Sequence, residues 1–243
     1  MSRMPPDTST DAYASAVLLA AGSSTRMGLG RAGERKPFLK LAGRTLIEHA
    51  IATFAAAASV HQIVLVGHAD DLEAIQAVLE AAGQIDARCI AGGAQRTDSV
   101  RLGFAETSAQ NEVVLVHDVA RPLVRPDQVD AVAACAREHG GALLAMPVRD
   151  TIKMCADGRS VSTLDRSRLW AAQTPQAFQR ERFARVLDEA LLMSQGATDD
   201  AALYERYAGP VTLVESSSEN LKVTVPGDLA LAEALLGLRE VSS

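Results

Sequence analysis

Several devices that crosslink or address proteins are missing from this chain. Its 243 residues include only three cysteines, Cys89, Cys135 and Cys155, far apart and in no metal-ligand spacing. Disulfides and a structural zinc are therefore not expected, each cysteine reads as a small hydrophobe or a bystander, and a reducing, cytoplasmic setting fits. The histidines His49, His61, His68, His117 and His139 form no ligand spacing either. No apolar run is long enough to span a bilayer, so no membrane partner is expected. Basic excess is absent too: the formal net charge is −6. That argues against nucleic acid as the main partner, but not against a small anionic substrate, which a few cations in one pocket can hold. The loop directly after the first apolar run, Ala21-Gly22-Ser23-Ser24, has neither the G-x-G-x-x-G nor the G-x-x-x-x-G-K-[ST] spacing, so neither a dinucleotide fold nor a P-loop is well supported. Residues 1–14 are rich in Pro, Ser, Thr and Asp, with no apolar centre, and read as a loose tail rather than a signal peptide. No repeat or linker divides residues 15–240, which are read as a single domain.

What is present is an alternation of apolar strands and amphipathic helices. Residues 16–20 form a continuous apolar run, expected as a strand buried on both faces. Thr45 and Glu48 make a capping box before a helix whose inner face carries Leu46, Ile47, Ala50, Ile51 and Phe54. Strands are expected at residues 63–66, 88–91, 113–116 and 142–148. Helices are expected at about 72–82, 99–106 and, after Pro126, up to Gly140. This spacing predicts an α/β fold with a mostly parallel sheet covered by helices on both faces. The pattern breaks at Asp157-Gly158, which sits between two β-prone runs and predicts a protruding hairpin, an arm over about residues 149–168. A lone two-stranded hairpin is marginal in water, so this one is expected to pack on the same hairpin of a second subunit, giving a homodimer. Thr174-Pro175-Gln176 reads as a turn, and a helix is expected from about 180 to 195. Thr198 is the expected cap of a short helix; strands follow at 211–214 and 221–225, then a last helix from Pro226.

The first strand runs into Ala21-Gly22-Ser23-Ser24, with Arg26 and Lys36 behind it. A small-residue loop at a strand end lets backbone N–H groups approach phosphate oxygens, and the carboxyl edge of an open sheet is where α/β proteins bind ligands. The loop is read as wrapping a nucleoside triphosphate, although such turns also serve as plain strand-to-helix connections. Asp118 follows the strand at 113–116. It is either a cap or an ion pair with Arg121, or a hard oxygen ligand for Mg²⁺, which needs only one or two carboxylates beside substrate phosphate.

The ordered set AAGSSTRMG, GGAQRTDSV, VHDVARPLV, MPVRDTIK, LWAAQTPQAF and ENLKVTVPGDLALAE resembles the bacterial 2-C-methyl-D-erythritol 4-phosphate cytidylyltransferases of isoprenoid precursor synthesis, over residues 16–236. The resemblance implies a Rossmann-like sheet and a dimer built through an extended β-arm. It implies that Ala20, Ala21 and Gly22 wrap the CTP triphosphate and base, and that Gly92, Gly93 and Ser99 form the cytosine-reading loop. Arg26 and Lys36 would contact the triphosphate and stabilise charge at the α-phosphorus. Asp118 would hold Mg²⁺, and Arg121 would hold methylerythritol phosphate. Thr151 and Arg166 of the arm would reach the substrate of the opposite subunit, while Thr174 and Lys222 would complete the site in their own subunit. The chain departs from the family at Arg35, where a proline is usual, at Pro37, where a glutamine is usual, and at Ala94, where many relatives are acidic. The segment between Arg26 and Lys36 is longer than typical; residues 29–35 are expected to be mobile and to close Lys36 onto the phosphates when CTP binds. The rival readings are a ribitol 5-phosphate cytidylyltransferase, a sugar-phosphate nucleotidyltransferase using another nucleotide, a silent nucleotide-binding regulator, and a dinucleotide-dependent oxidoreductase, for which Asp70 is the only support.

Overall fold

The computed structural model describes residues 12–22, 35–83, 86–193 and 197–241. Arg26 and residues 29–34 lie outside the described residues. In chain order the elements are β1 (Ala14–Leu19), β2 (Lys40–Leu41), β3 (Arg44–Thr45), α1 (Leu46–Ala55), β4 (Val60–Gly67), α2 (Leu72–Ala82), β5 (Asp86–Ala91), α3 (Arg96–Ala105), β6 (Val113–Asp118), α4 (Pro126–His139) and β7 (Gly141–Pro147). Then come β8 (Lys153–Ala156), β9 (Arg159–Thr163), β10 (Trp170–Gln179), α5 (Arg180–Leu192), α6 (Asp200–Tyr207), β11 (Thr212–Glu215) and α7 (Pro226–Val241).

The main sheet has seven strands in the order β11-β7-β10-β6-β1-β4-β5. Strands β5, β4, β1 and β6 run parallel, β11 runs parallel to β7, and β10 is antiparallel to both its neighbours. The sheet is thus mostly parallel with one reversed strand. The inner strand β1 is buried on both faces, as its apolar run requires. Ala16 and Leu18 face one core, with Ile47, Ile51 and Phe54 of α1 and Val129 and Val132 of α4. Val17 faces the other way. A second core on that side stacks Phe178 of β10 on Phe183 of α5 at 4.4 Å and on Tyr204 of α6 at 5.0 Å. The capping box forms as expected: the Thr45 amide donates to Glu48 Oε2 at 2.6 Å, and the Glu48 amide donates to Thr45 Oγ1 at 3.3 Å.

Five details differ from the sequence reading. The fold begins earlier than the expected tail boundary, because Tyr13 and Ala14 donate to the Ser59 carbonyl and Ala14 opens β1. The turn expected at Thr174-Pro175 lies inside β10, whose pairing with β7 is irregular between Ala172 and Gln176. Proline has no N–H for a ladder, so the strand passes it by breaking register rather than ending. Asp199, not Thr198, caps α6, accepting from the Ala202 amide at 3.0 Å. Ser99 lies inside α3, which starts at Arg96. The segment expected as a strand at 221–225 pairs with no strand; the Val223 amide donates to the Ala120 carbonyl at 2.7 Å and hangs the segment over the end of β6.

The arm is present as the two-stranded sheet of β8 and β9. Its turn residues Asp157 and Gly158 take φ of 48° and 74°, the left-handed conformation that this dipeptide tolerates. Among the described residues no helix is long and apolar enough to cross a membrane.

Candidate active site

The parallel register brings Leu19 beside Val66 and Asp118, and Gly67 beside Ala91, so four strand ends share one edge of the sheet. A cavity of about 610 Å³ opens over this edge, where an open α/β sheet binds its ligands. Ala20, Ala21, Gly22, Gly93, Ser99, Lys36, Asp118 and Lys222 all line it, bringing together eight of the residues singled out from sequence.

Two loops make one wall. The Ala20 amide donates to the Val66 carbonyl, and the Gly92 amide donates to the Gly67 carbonyl, each at 2.8 Å, so both loops leave the sheet in line with their strands. They touch at Gly92, where a Cβ would stand 2.6 Å from Ala21 Cβ and 2.8 Å from Ser99 Oγ. At Gly93 a Cβ would meet Asp98. Only glycine permits this approach. The Gly93 amide donates to Ser99 Oγ at 3.1 Å, and Ser99 Oγ donates to the Gln95 carbonyl at 3.2 Å. The N-terminus of α3, with Gln95 and Arg96, lines the same cavity, and helix N-termini favour anions.

Lys36 stands on the opposite rim, at the start of a single 3-10 turn. Its neighbour Arg35 is not part of a loose segment. Arg35 Nη1 donates to Asp71 at 2.8 Å and Nη2 to Asp70 at 3.0 Å, with the Arg35 side chain only 7% exposed. The residue before the lysine is therefore tied to the loop between β4 and α2. This pairing also removes the support for an oxidoreductase, since Asp70 is occupied by Arg35. Both halves of the pair stand out in the sequence, Arg35 as a departure and Asp70 as an acid after a strand, but their contact does not.

The floor of the cavity is a charge cluster. Asp118, 14% exposed, accepts from Lys222 Nζ at 2.6 Å and lies 3.5 Å from Arg96 Nη2. Arg96 reaches on to Asp200 at 2.8 Å, whose side chain is 1% exposed. The expected alternative of an Asp118–Arg121 ion pair is not what holds Asp118. Burial pushes the Asp118 carboxyl up, but Lys222 and Arg96 outweigh it and bring it down to about 2, so it is ionised at neutral pH. Burial raises the Asp200 carboxyl above the usual range despite Arg96 beside it. Arg96 and Asp200 are not anticipated from sequence; the only signal is a cation and an acid in two segments far apart in the chain.

Behind this floor Arg121 Nη1 donates to the Asn220 carbonyl at 2.7 Å, while its Nε is buried without a hydrogen-bond partner among the described residues. Thr174 is buried, and its Oγ1 accepts from the Asp118 amide at 3.1 Å and bonds His117 Nδ1 at 3.0 Å. It supports Asp118 from beneath rather than lining the cavity. His117 is fully buried, and burial lowers its imidazole to about 4, so the ring is neutral. Thr151 and Arg166 lie at the arm, exposed, with Arg166 Nη1 donating to the Arg149 carbonyl at 2.7 Å. The structure does not bring them to this chain's own cavity. No cluster of three or more metal-ligating side chains occurs among the described residues, so Asp118 offers one ionised carboxylate at the cavity floor, enough for an ion that completes its shell with phosphate oxygens and water.

Comparison with known proteins gives a consistent picture. The family model described as "IspD: 2-C-methyl-D-erythritol 4-phosphate cytidylyltransferase" matches residues 14–238. The 2-C-methyl-D-erythritol 4-phosphate cytidylyltransferase of Pelotomaculum thermopropionicum is 39% identical over 93% of this chain and 94% of that protein. That of Syntrophotalea carbinolica is 41% identical over 89% and 93%. The crystal structure of 4-diphosphocytidyl-2C-methyl-D-erythritol synthase from Anaerococcus prevotii superimposes with a TM-score of 0.82 at 28% identity, over 93% of this chain and 96% of that one. The Thermus thermophilus enzyme follows at 0.73 and 31%, over 90% and 97%. With the match running from the first residue of β1 into α7 and spanning both loops, the charge cluster and the arm, the chain belongs to the IspD family of 2-C-methyl-D-erythritol 4-phosphate cytidylyltransferases.

Proposed function

We infer that the cavity binds CTP and that the enzyme joins its cytidylyl group to 2-C-methyl-D-erythritol 4-phosphate, releasing pyrophosphate. The observation that carries this reading is the meeting of two backbone-donor loops with the Asp118–Lys222–Arg96 cluster across one cavity at the sheet's carboxyl edge. In this reading residues 15–240 are one nucleotidyltransferase domain. Ala20, Ala21 and Gly22 receive the triphosphate, Gly92, Gly93 and Ser99 the cytosine, and Arg121 the phosphate of the acceptor. Arg26 is retained as a triphosphate contact on the resemblance alone.

A phosphate oxygen of the acceptor attacks the α-phosphorus of CTP. The bond from that phosphorus to the bridging oxygen breaks, and its electron pair leaves on pyrophosphate. A phosphate monoester is largely dianionic at neutral pH, with a second pKa of about 6, so the attack requires no general base. Positioning and charge cancellation remain to be supplied. Lys36 approaches from one rim and Lys222 from the floor, and both face the cavity. Asp118 is the residue that would hold Mg²⁺, which would supply further charge cancellation when bound. Lys222, now on Asp118, is placed to turn toward phosphate when the carboxylate is shared.

The arm supports a homodimer. Every residue of β8 and β9 is exposed, including Met154 and Val161 at 51% and 60%. Thr151 and Arg166 are proposed to complete the partner's site. The test is pyrophosphate release with Mg²⁺, comparing methylerythritol 4-phosphate with ribitol 5-phosphate, and CTP with UTP, ATP and GTP. Release is expected to be strongest for CTP with methylerythritol 4-phosphate; preference for ribitol 5-phosphate or another nucleotide would overturn the assignment.

A further inference from the structure

His117 has no part in the reaction as described above, yet it is the most enclosed titratable side chain touching the site. It is 0% exposed and lies 5.0 Å from the Phe54 ring, centroid to centroid. Both ring nitrogens have fixed partners. Nε2 lies 3.2 Å from the Arg121 carbonyl oxygen, which can only accept, so Nε2 carries the proton. Nδ1 is then the bare nitrogen of the neutral ring and accepts the Thr174 hydroxyl proton at 3.0 Å. Thr174 Oγ1 in turn accepts from the Asp118 amide at 3.1 Å. The loop closes on itself, because the Arg121 amide donates to the Asp118 carbonyl at 2.9 Å, a β-turn bond.

We propose that His117 is a positioning residue for the acceptor half of the site: through Thr174 and the Arg121 carbonyl it locks both ends of the turn that carries Asp118 and Arg121. The turn has one charged group at each end, one for the metal and one for the acceptor phosphate, and the imidazole spans the two from the core side. A neutral ring in this one tautomer can hold a carbonyl with one nitrogen and a hydroxyl with the other. The lock also commits the only hydroxyl proton of Thr174 inward. The nucleotide half, built from the loops at Ala20–Gly22 and Gly92–Gly93, shares none of these bonds. This inference rests on the proposed roles of Asp118 and Arg121.

The test uses the full-length protein with His117→Phe, His117→Gln and Thr174→Val. Hydrogen exchange of the Asp118 amide, read by NMR, is expected to speed up by about tenfold or more in His117→Phe and Thr174→Val, because its acceptor is freed or lost. The KM for methylerythritol 4-phosphate is expected to rise about fivefold or more, with a smaller rise for CTP, which the turn meets only through the metal that Asp118 would hold. His117→Gln, which keeps an N–H near the Nε2 position, is expected to recover part of the acceptor KM. Unchanged exchange at Asp118 in His117→Phe overturns the proposal. So do equal rises in both KM values with no recovery in His117→Gln, the pattern of a core residue only. If the unaltered protein releases no pyrophosphate, the activity reading fails, and exchange at Asp118 alone still decides the role of His117.

Discussion

The cavity floor and the arm are opposite solutions to the placement of charge. On the floor Asp118 is 14% exposed and Asp200 1%, and each is held by cations of the same chain. On the arm β8 and β9 are exposed throughout, and Arg166 is steadied by one backbone carbonyl. The floor pays desolvation once, at folding, and thereby fixes its geometry before substrate arrives. The arm has two strands and no core of its own, so its chemistry depends on what it lies against. A site assembled from both, as proposed above, would need the floor for the reacting phosphates and a second copy for the arm's contribution.

The largest expected effect tests whether the floor is as buried as this contrast requires. The unfolded His117 imidazole titrates near 6.5 and the folded one at about 4. Between these values the unfolded chain binds the extra proton, so stability is complete above pH 6.5 and is lost as pH falls toward 4. The expected loss is roughly 3 kcal/mol, at about 1.4 kcal/mol for each pH unit that separates the two titrations. Denaturant unfolding at about pH 7, 5.5 and 4 measures it, and His117→Phe should flatten the slope while an arm deletion should not. A slope that vanishes with the arm instead would break the comparison.

Next in size is Lys36→Ala, which should lower kcat by about tenfold or more, a loss of about 1.4 kcal/mol in transition-state stabilisation. An unchanged kcat would remove Lys36 from the mechanism. Smaller still is Asp71→Asn, which loosens Arg35 from the loop after β4 without touching the cavity. A fall in kcat of about threefold is expected, with the acceptor KM unchanged. An effect as large as that of Lys36→Ala would mean that Arg35 itself reaches the phosphates.

Much of the fold was legible because local chemistry dictated it. The run of β1 is apolar, and Thr45 with Glu48 can do little but cap α1. Asp157-Gly158 tolerates the turn it forms. The site loops were legible for the same reason, small residues at strand ends. What was not legible depends on contacts between distant segments. Lys222 meets Asp118 across 104 positions, and Thr174 meets it across 56. The segment around Lys222 has strand-forming residues but no partner strand, and only the Ala120 carbonyl shows where it goes. The Arg96–Asp200 pair is not visible in sequence, because it exists only after α3 and α6 have packed on one side of the sheet. Arg35 looked like an irregularity because its two carboxylates come from the far side of β4.

The central claim is that each site joins the floor of one subunit to the arm of another. Mixing two impaired variants tests it most directly. Lys36→Ala has a damaged cavity and an intact arm; Arg166→Ala has the reverse. When the two are co-expressed, about half of the dimers are mixed and each mixed dimer restores one site of two, so pyrophosphate release should recover to about a quarter of the unaltered enzyme's rate. Release no greater than the mean of the two variants alone would contradict the account.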